Sequence, residues 1–157
     1  MIQRKQTLFL ALAAVVAGLA NLFPFATYSV ADVQVVFRST GLFLGDGAPL
    51  EEASPKVPFA AVLGLLAVLP LVTIFLYRDR ARQVRFVRFT YLFALGALAF
   101  GVITDRSIQV YMAGRGEVEV AYGPAFAAPV LVLLLAFLAE RGIRKDEALI
   151  RSMDRIR

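Results

Sequence analysis

Val57 to Tyr77 reads VPFAAVLGLLAVLPLVTIFLY and contains no charged residue. At about 1.5 Å of rise per residue, a helix of this stretch covers the roughly 30 Å hydrocarbon core of a bilayer. A surface helix of a soluble domain alternates an apolar stripe with a polar face. This segment is apolar all round, so lipid is its natural surroundings. Pro58 falls in the first turn, where a missing N–H costs nothing. Pro70 lies inside and predicts a kink whose freed carbonyl a packed neighbour can satisfy.

Three more stretches have the same character: about Thr7–Phe25, Phe86–Thr104 and Tyr122–Ala139, the last holding PVLVLLLAFLA. The whole chain is 59% hydrophobic and 18% charged, with a mean hydropathy of +0.71. Soluble domains average about 45–50% and 25%. The departure fits helices that turn apolar surface to lipid. Arg4 and Lys5 before the first stretch resemble a signal-peptide n-region, but the apolar run exceeds the usual h-region of about 7–15 residues. The first stretch is therefore expected to stay as a span. The expected organisation is a single membrane domain over residues 1–157, with spans at about 7–25, 57–77, 86–104 and 122–139.

The Lys and Arg residues fix the expected orientation. Thirteen lie at the N-terminus, in the middle loop (Arg78, Arg80, Arg82, Arg85, Arg88) and in the C-terminal tail; four lie in the other two connections. Both ends and the middle loop are expected to face the cytoplasm, which places the protein in the cell inner membrane. The net charge of +5 then reflects topology and attraction to anionic headgroups rather than nucleic-acid binding.

The two outer loops, 26–56 and 105–121, carry strand patterns. Tyr28–Phe37 is rich in β-branched and aromatic residues, and Asp32, Gln34 and then Arg38 suggest alternation, with Val33, Val35 and Phe37 on the opposite face. Thr40–Leu44 precedes a Gly45-Asp46-Gly47 turn signal. Ile108–Met112 and Glu117–Tyr122 flank a Gly-rich turn and predict a hairpin. A lone hairpin is marginal, so the Val33–Phe37 strand is expected to pair with it, forming a small periplasmic sheet. The fold class expected is an all-α four-helix membrane bundle with this β cap.

No segment carries recognisable catalysis. Cysteine and histidine are absent, which removes thiolate chemistry and the commonest general base and metal ligand. No span has a charge near its middle, as an ion pathway would require. Asn21, Thr73 and Thr90 are expected as interhelical hydrogen-bond or cap residues. Ala14–Gly18 and Ala97–Gly101 are small-residue pairs suited to close helix packing. Among the outer acids Glu51, Glu52, Glu117 and Glu119, the last two share a strand face and are expected to be solvated. No catalytic residue, metal site or cofactor is assigned.

The tail, about 140–157, contains RGIRKDEALIRSMDRIR from Arg141. Leu149, Ile150, Met153 and Ile156 fall on one helical face among charges, and Glu147 to Arg151 is a favourable i,i+4 pair. A basic amphipathic helix of this kind anchors in the interface or docks on a partner. The residues singled out for partner or lipid contact are these four, with Arg78, Arg80, Arg82 and Arg85 of the middle loop.

The opening MIQRKQTL (Met1–Leu8), the four-span layout and the ending IRKDEALIRSMDRIR (Ile143–Arg157) resemble the small bacterial membrane proteins of domain of unknown function 4293, found mainly in Bacteroidota and relatives. The resemblance implies an inner-membrane location and supplies no site residues. The function expected is a non-catalytic accessory or scaffolding subunit of a larger membrane complex, with membrane lipids and other membrane subunits as partners. The alternative is a module binding lipid or quinone in a groove near the Pro kinks.

Overall fold

The computed structural model describes residues 5–50 and 58–154, and side chains as far as Ala148. Among these residues the order is α1 (Lys5–Leu19, followed by a 3-10 turn Ala20–Leu22), β1 (Ala26–Val30), β2 (Val33–Arg38), β3 (Gly41–Leu44), α2 (Phe59–Phe75), α3 (Arg80–Ala113), β4 (Glu119–Tyr122) and α4 (Pro124–Asp154). Each helix packs on its neighbours in the chain, and α4 closes back on α1.

One spacing explains the bundle. The buried residues of α3 include Gln83, Val87, Thr90, Ala94, Ala97, Gly101, Thr104 and Ile108, separated alternately by four and three. Gln6, Leu10, Ala13, Ala17 and Ala20 repeat it on the first helix and its 3-10 turn, as do Phe59, Leu63, Leu66, Pro70 and Thr73 on α2. A repeat averaging 3.5 residues keeps one stripe facing the partner helices. The stripes of α1 and α3 are mostly small residues, while Leu12, Val15, Leu65, Val68, Leu92, Leu95, Leu131 and Leu134 stand exposed. Small residues inside and large aliphatics outside is the pattern of helices that meet closely in lipid. α1 with its 3-10 turn, α3 and α4 are long and apolar enough to cross a membrane; α2 is apolar but has 17 residues.

The sheet order is β3-β2-β1-β4, antiparallel throughout. Its inner face carries Ala26, Tyr28, Val30, Val35, Phe37 and Leu42, all buried. The sheet is fixed to the bundle by aromatic packing: Phe25 meets Phe37 and Phe59 at 5.2 and 4.6 Å between centroids, and Phe59 stacks on Phe100 at 5.3 Å. Ala60 N donates to Ser39 O at 2.8 Å, joining the β2–β3 turn to the start of α2. Gly123 runs so close to Pro24 that an added Cβ would collide with the Pro24 carbonyl, and its N–H donates to Phe25 O at 2.8 Å.

The strand expected at Val33–Phe37 forms, but the single stretch Tyr28–Phe37 is broken into two strands, Gly41–Leu44 adds a third, and the expected hairpin does not form. Ile108–Met112 belongs to α3, and Val33–Phe37 pairs with β1 and β3 instead. A five-residue run holding Ile108, Val110 and Tyr111 fits a strand taken alone. Ile108 and Met112, however, extend the α3 stripe by four and four, and both are buried under the sheet. Packing of a helix already under way outweighs the local preference. The small-residue pairs divide: Ala97 and Gly101 are buried, whereas Gly18 is exposed and Ala13 and Ala17 carry the α1 contact.

Candidate functional site

Charge and buried polarity collect in two places, one at each end of the bundle.

At the sheet end Asp105, buried on α3, is the centre. Its Oδ1 accepts from Tyr28 Oη at 2.7 Å; Oδ2 accepts from Gln109 Nε2 at 2.8 Å and Tyr122 Oη at 3.2 Å. β1, β4 and α3 thus converge on one carboxylate. Burial above all, then the bond to Asp105, pushes the Tyr28 phenol well above its ordinary value, and burial does the same to Tyr122 to a lesser degree. Both tyrosines are therefore protonated donors at neutral pH. All the donors to the carboxylate come from the fold itself, which makes this a lock between sheet and helix.

At the opposite end, Glu140 on α4 is nearly buried and holds two arginines. Its Oε1 accepts from Arg88 Nε of α3 at 2.9 Å and from Arg144 Nε, one turn on, at 2.8 Å. Arg144 Nη2 also reaches it at 2.7 Å. These groups, with Tyr91, Phe137 and Arg141, line a cleft of about 430 Å³ between α3 and α4. Arg88 pairs with Glu140 while its side chain stays partly exposed. The signal was a single charge inside one apolar stretch and an acid at the edge of another.

The expected middle-loop residues lie at this basic end without converging. Asp79 caps α3, accepting from Arg82 N at 3.0 Å and pairing with the Arg82 side chain at 2.8 Å. Arg78 lies over the Tyr77 ring, 5.8 Å from its centroid, and Arg85 is exposed. Arg80 buries Nη1 without a hydrogen-bond partner among the described residues. Gln83 Nε2 donates to Thr73 O at 3.2 Å and joins α3 to the end of α2. Thr73 and Thr90 hydroxyls bond their own helices, to Leu69 O and Phe86 O, rather than bridging helices. Asn21 likewise donates within its own turn, to Ala17 O and Gly18 O.

The tail is not a separate element. α4 continues unbroken through Asp154, its buried face ending at Ile143 within the described side chains. The backbone of Leu149, Ile150 and Met153 is part of this helix, but their side chains, and Ile156 entirely, lie outside the described residues. Glu51 and Glu52 also lie outside them, while Glu117 and Glu119 are exposed. A groove of about 300 Å³ lined by Val62, Phe93, Gly96, Ala97 and Phe100 lies between α2 and α3, and Pro70 and Pro129 are buried.

The family model described as Domain of unknown function (DUF4293) matches residues 2–156, and the chain belongs to that family. This is the family indicated by the two terminal segments. No curated protein matches the chain.

Proposed function

We propose that this chain crosses the cell inner membrane four times, with both ends cytoplasmic and the sheet as a periplasmic cap, and serves as a non-catalytic accessory or scaffolding subunit of a larger membrane protein complex. The fourth crossing is α2, whose 17 residues give about 26 Å at 1.5 Å each, at the short end of the spanning range. Its exposed Leu65, Val68, Leu71, Val72 and Phe75 extend the apolar surface of its neighbours, which supports that reading. The orientation rests on the thirteen-to-four division of Lys and Arg between the two ends.

The observation that carries the subunit reading is the length of α4. It passes Ala139, the last residue of its apolar stretch, and continues as a charged helix to Asp154. In sequence, Ile150 and Met153 prolong the spacing of Ala136, Ala139 and Ile143. Among the described residues α1 starts at Lys5, and Gln6 already lies against Gly142. A helix leaving the bundle with an apolar stripe suits insertion into a groove of another subunit. Lying flat in the interface would call for a break from α4. The test is affinity purification of the tagged chain from native membranes, beside the double variant Leu149→Glu, Met153→Glu. Stoichiometric membrane proteins should accompany the first and be lost from the second, with an unchanged helical spectrum. Identical partner sets, or none with either, would refute the reading.

The groove between α2 and α3 favours a second reading, a module for an apolar ligand such as a quinone. Quinone retained by the gently solubilised protein and lost on Gly96→Phe would favour it over the first.

A further inference from the structure

We infer that the cleft between α3 and α4 is a binding site for the phosphate of one anionic phospholipid of the phosphatidylglycerol class. The inference rests on the membrane orientation proposed above. Three arginines surround the cleft, and Glu140 is the one acid among its lining residues. The excess positive charge suits one singly charged phosphodiester.

Glu140 prepares the site rather than cancelling it. A guanidinium has five N–H donors, and Arg88 meets Glu140 through Nε alone. Its terminal donors remain on a side chain that the carboxylate holds in place. Arg144 meets the same oxygen through Nε and Nη2, so both planes are oriented before any lipid arrives. The arginine side chains are 44% and 55% exposed, while that of Glu140 is 10% exposed. An incoming anion therefore meets cations first.

The walls identify the source of the phosphate. Phe137 is exposed on the same α4 surface as Leu134 and Leu138, and it lines the cleft together with Tyr91. A lipid seated by its phosphate at the arginines lays an acyl chain along Leu134 and Phe137; free phosphate gains nothing from that wall. Basic clefts between spans on the cytoplasmic side hold anionic headgroups by this combination. At about 430 Å³ the cleft falls in the range of small-ligand sites, about 300–1,000 Å³.

The test is lipid binding to the purified full chain in neutral detergent, followed by native mass spectrometry with added phosphatidylglycerol or phosphatidylcholine. No partner or orientation enters this measurement, so its failure is separate from failure of the subunit reading. Phosphatidylglycerol should be retained about tenfold better than phosphatidylcholine, and Arg141→Gln with Arg144→Gln should abolish the preference. Arg141→Gln alone, at an exposed position, should reduce it without risk to folding. Arg106→Gln with Arg115→Gln, both exposed at the sheet end, removes equal charge away from the cleft and should leave the preference intact. Equal retention of the two lipids, equal loss in both double variants, or inorganic phosphate binding as tightly as the lipid would each overturn the proposal.

Discussion

The phenol oxygen of Tyr28 lies 2.7 Å from Oδ1 of Asp105, joining the second strand of the sheet order's inner pair to a helix 77 residues away in sequence. Asp105 is buried at the level where α3 leaves the apolar part of the bundle and passes under the sheet. A carboxylate there is tolerable because three donors face it. Removing one leaves the charge under-solvated. Tyr28→Phe should therefore destabilise the protein by about 1.5–3 kcal/mol, seen as a lower midpoint in denaturant titration of the detergent-solubilised chain. Tyr122→Phe, at the longer and more exposed bond, should cost less.

The same bond predicts a response to alkali. The folded Tyr28 phenol has a pKa raised above its ordinary 10.0, through burial first and Asp105 second. A group raised on folding contributes stability that is complete below its unfolded pKa and fades as pH rises beyond it. Stability of the sheet end should be flat up to about pH 9 and fall above pH 10. Tyr28→Phe should flatten that fall, as followed by amide exchange in β1. An unchanged slope in the variant would show that another group governs it.

Gly123 is required by a close approach, not by its dihedral angles. Gly123→Ala drives a Cβ into the Pro24 carbonyl and displaces the bond from Gly123 N to Phe25 O. The backbone must yield where β4 meets β1, at a cost of about 1–3 kcal/mol. Exchange should rise first in Glu119–Tyr122. Ala31, by contrast, has a φ of 48° in the β1–β2 turn. Ala31→Gly should raise stability by up to about 1 kcal/mol by relieving the left-handed strain.

The bundle was legible because its signal is long. Four apolar stretches do not depend on any single residue. The sheet was half legible: Val33–Phe37 alternates plainly, but its neighbours were assigned from proximity to the Gly-rich turn. Ile108–Met112 is too short to distinguish a period of 2 from one of 3.5, and only the stripe beginning at Gln83 decides it. The Glu140 cluster was hidden for another reason. Arg88 and Glu140 are 52 residues apart, and a charge inside one apolar stretch and an acid at the edge of another are matched only once α3 and α4 pack.

Topology is open to direct labelling. Thr40→Cys and Gly114→Cys sit at the sheet end on exposed positions, and Arg78→Cys on the exposed turn at the basic end. Gly45 is less suitable, since an added Cβ would press on Gln34. With a membrane-impermeant thiol reagent and intact spheroplasts, the first two should label and the third should label only after lysis. Labelling of Arg78→Cys before lysis would reverse the orientation.

Glu140 and Arg88 should show unequal costs, because one acid serves two bases. Arg88→Gln removes one of two partners from a half-exposed bridge, and Arg144 continues to satisfy Glu140. Its cost should be small, as for other solvent-screened ion pairs. Glu140→Gln leaves two guanidiniums converging on a neutral amide. Its cost should exceed that of Arg88→Gln. The double variant Arg88→Gln, Glu140→Gln removes that uncompensated cation and should be more stable than Glu140→Gln alone. Thermal unfolding in lipid nanodiscs would rank the three. A ranking in which Arg88→Gln is the most damaging would mean that the arginine contributes through packing of its stem, and that the ion pair adds little.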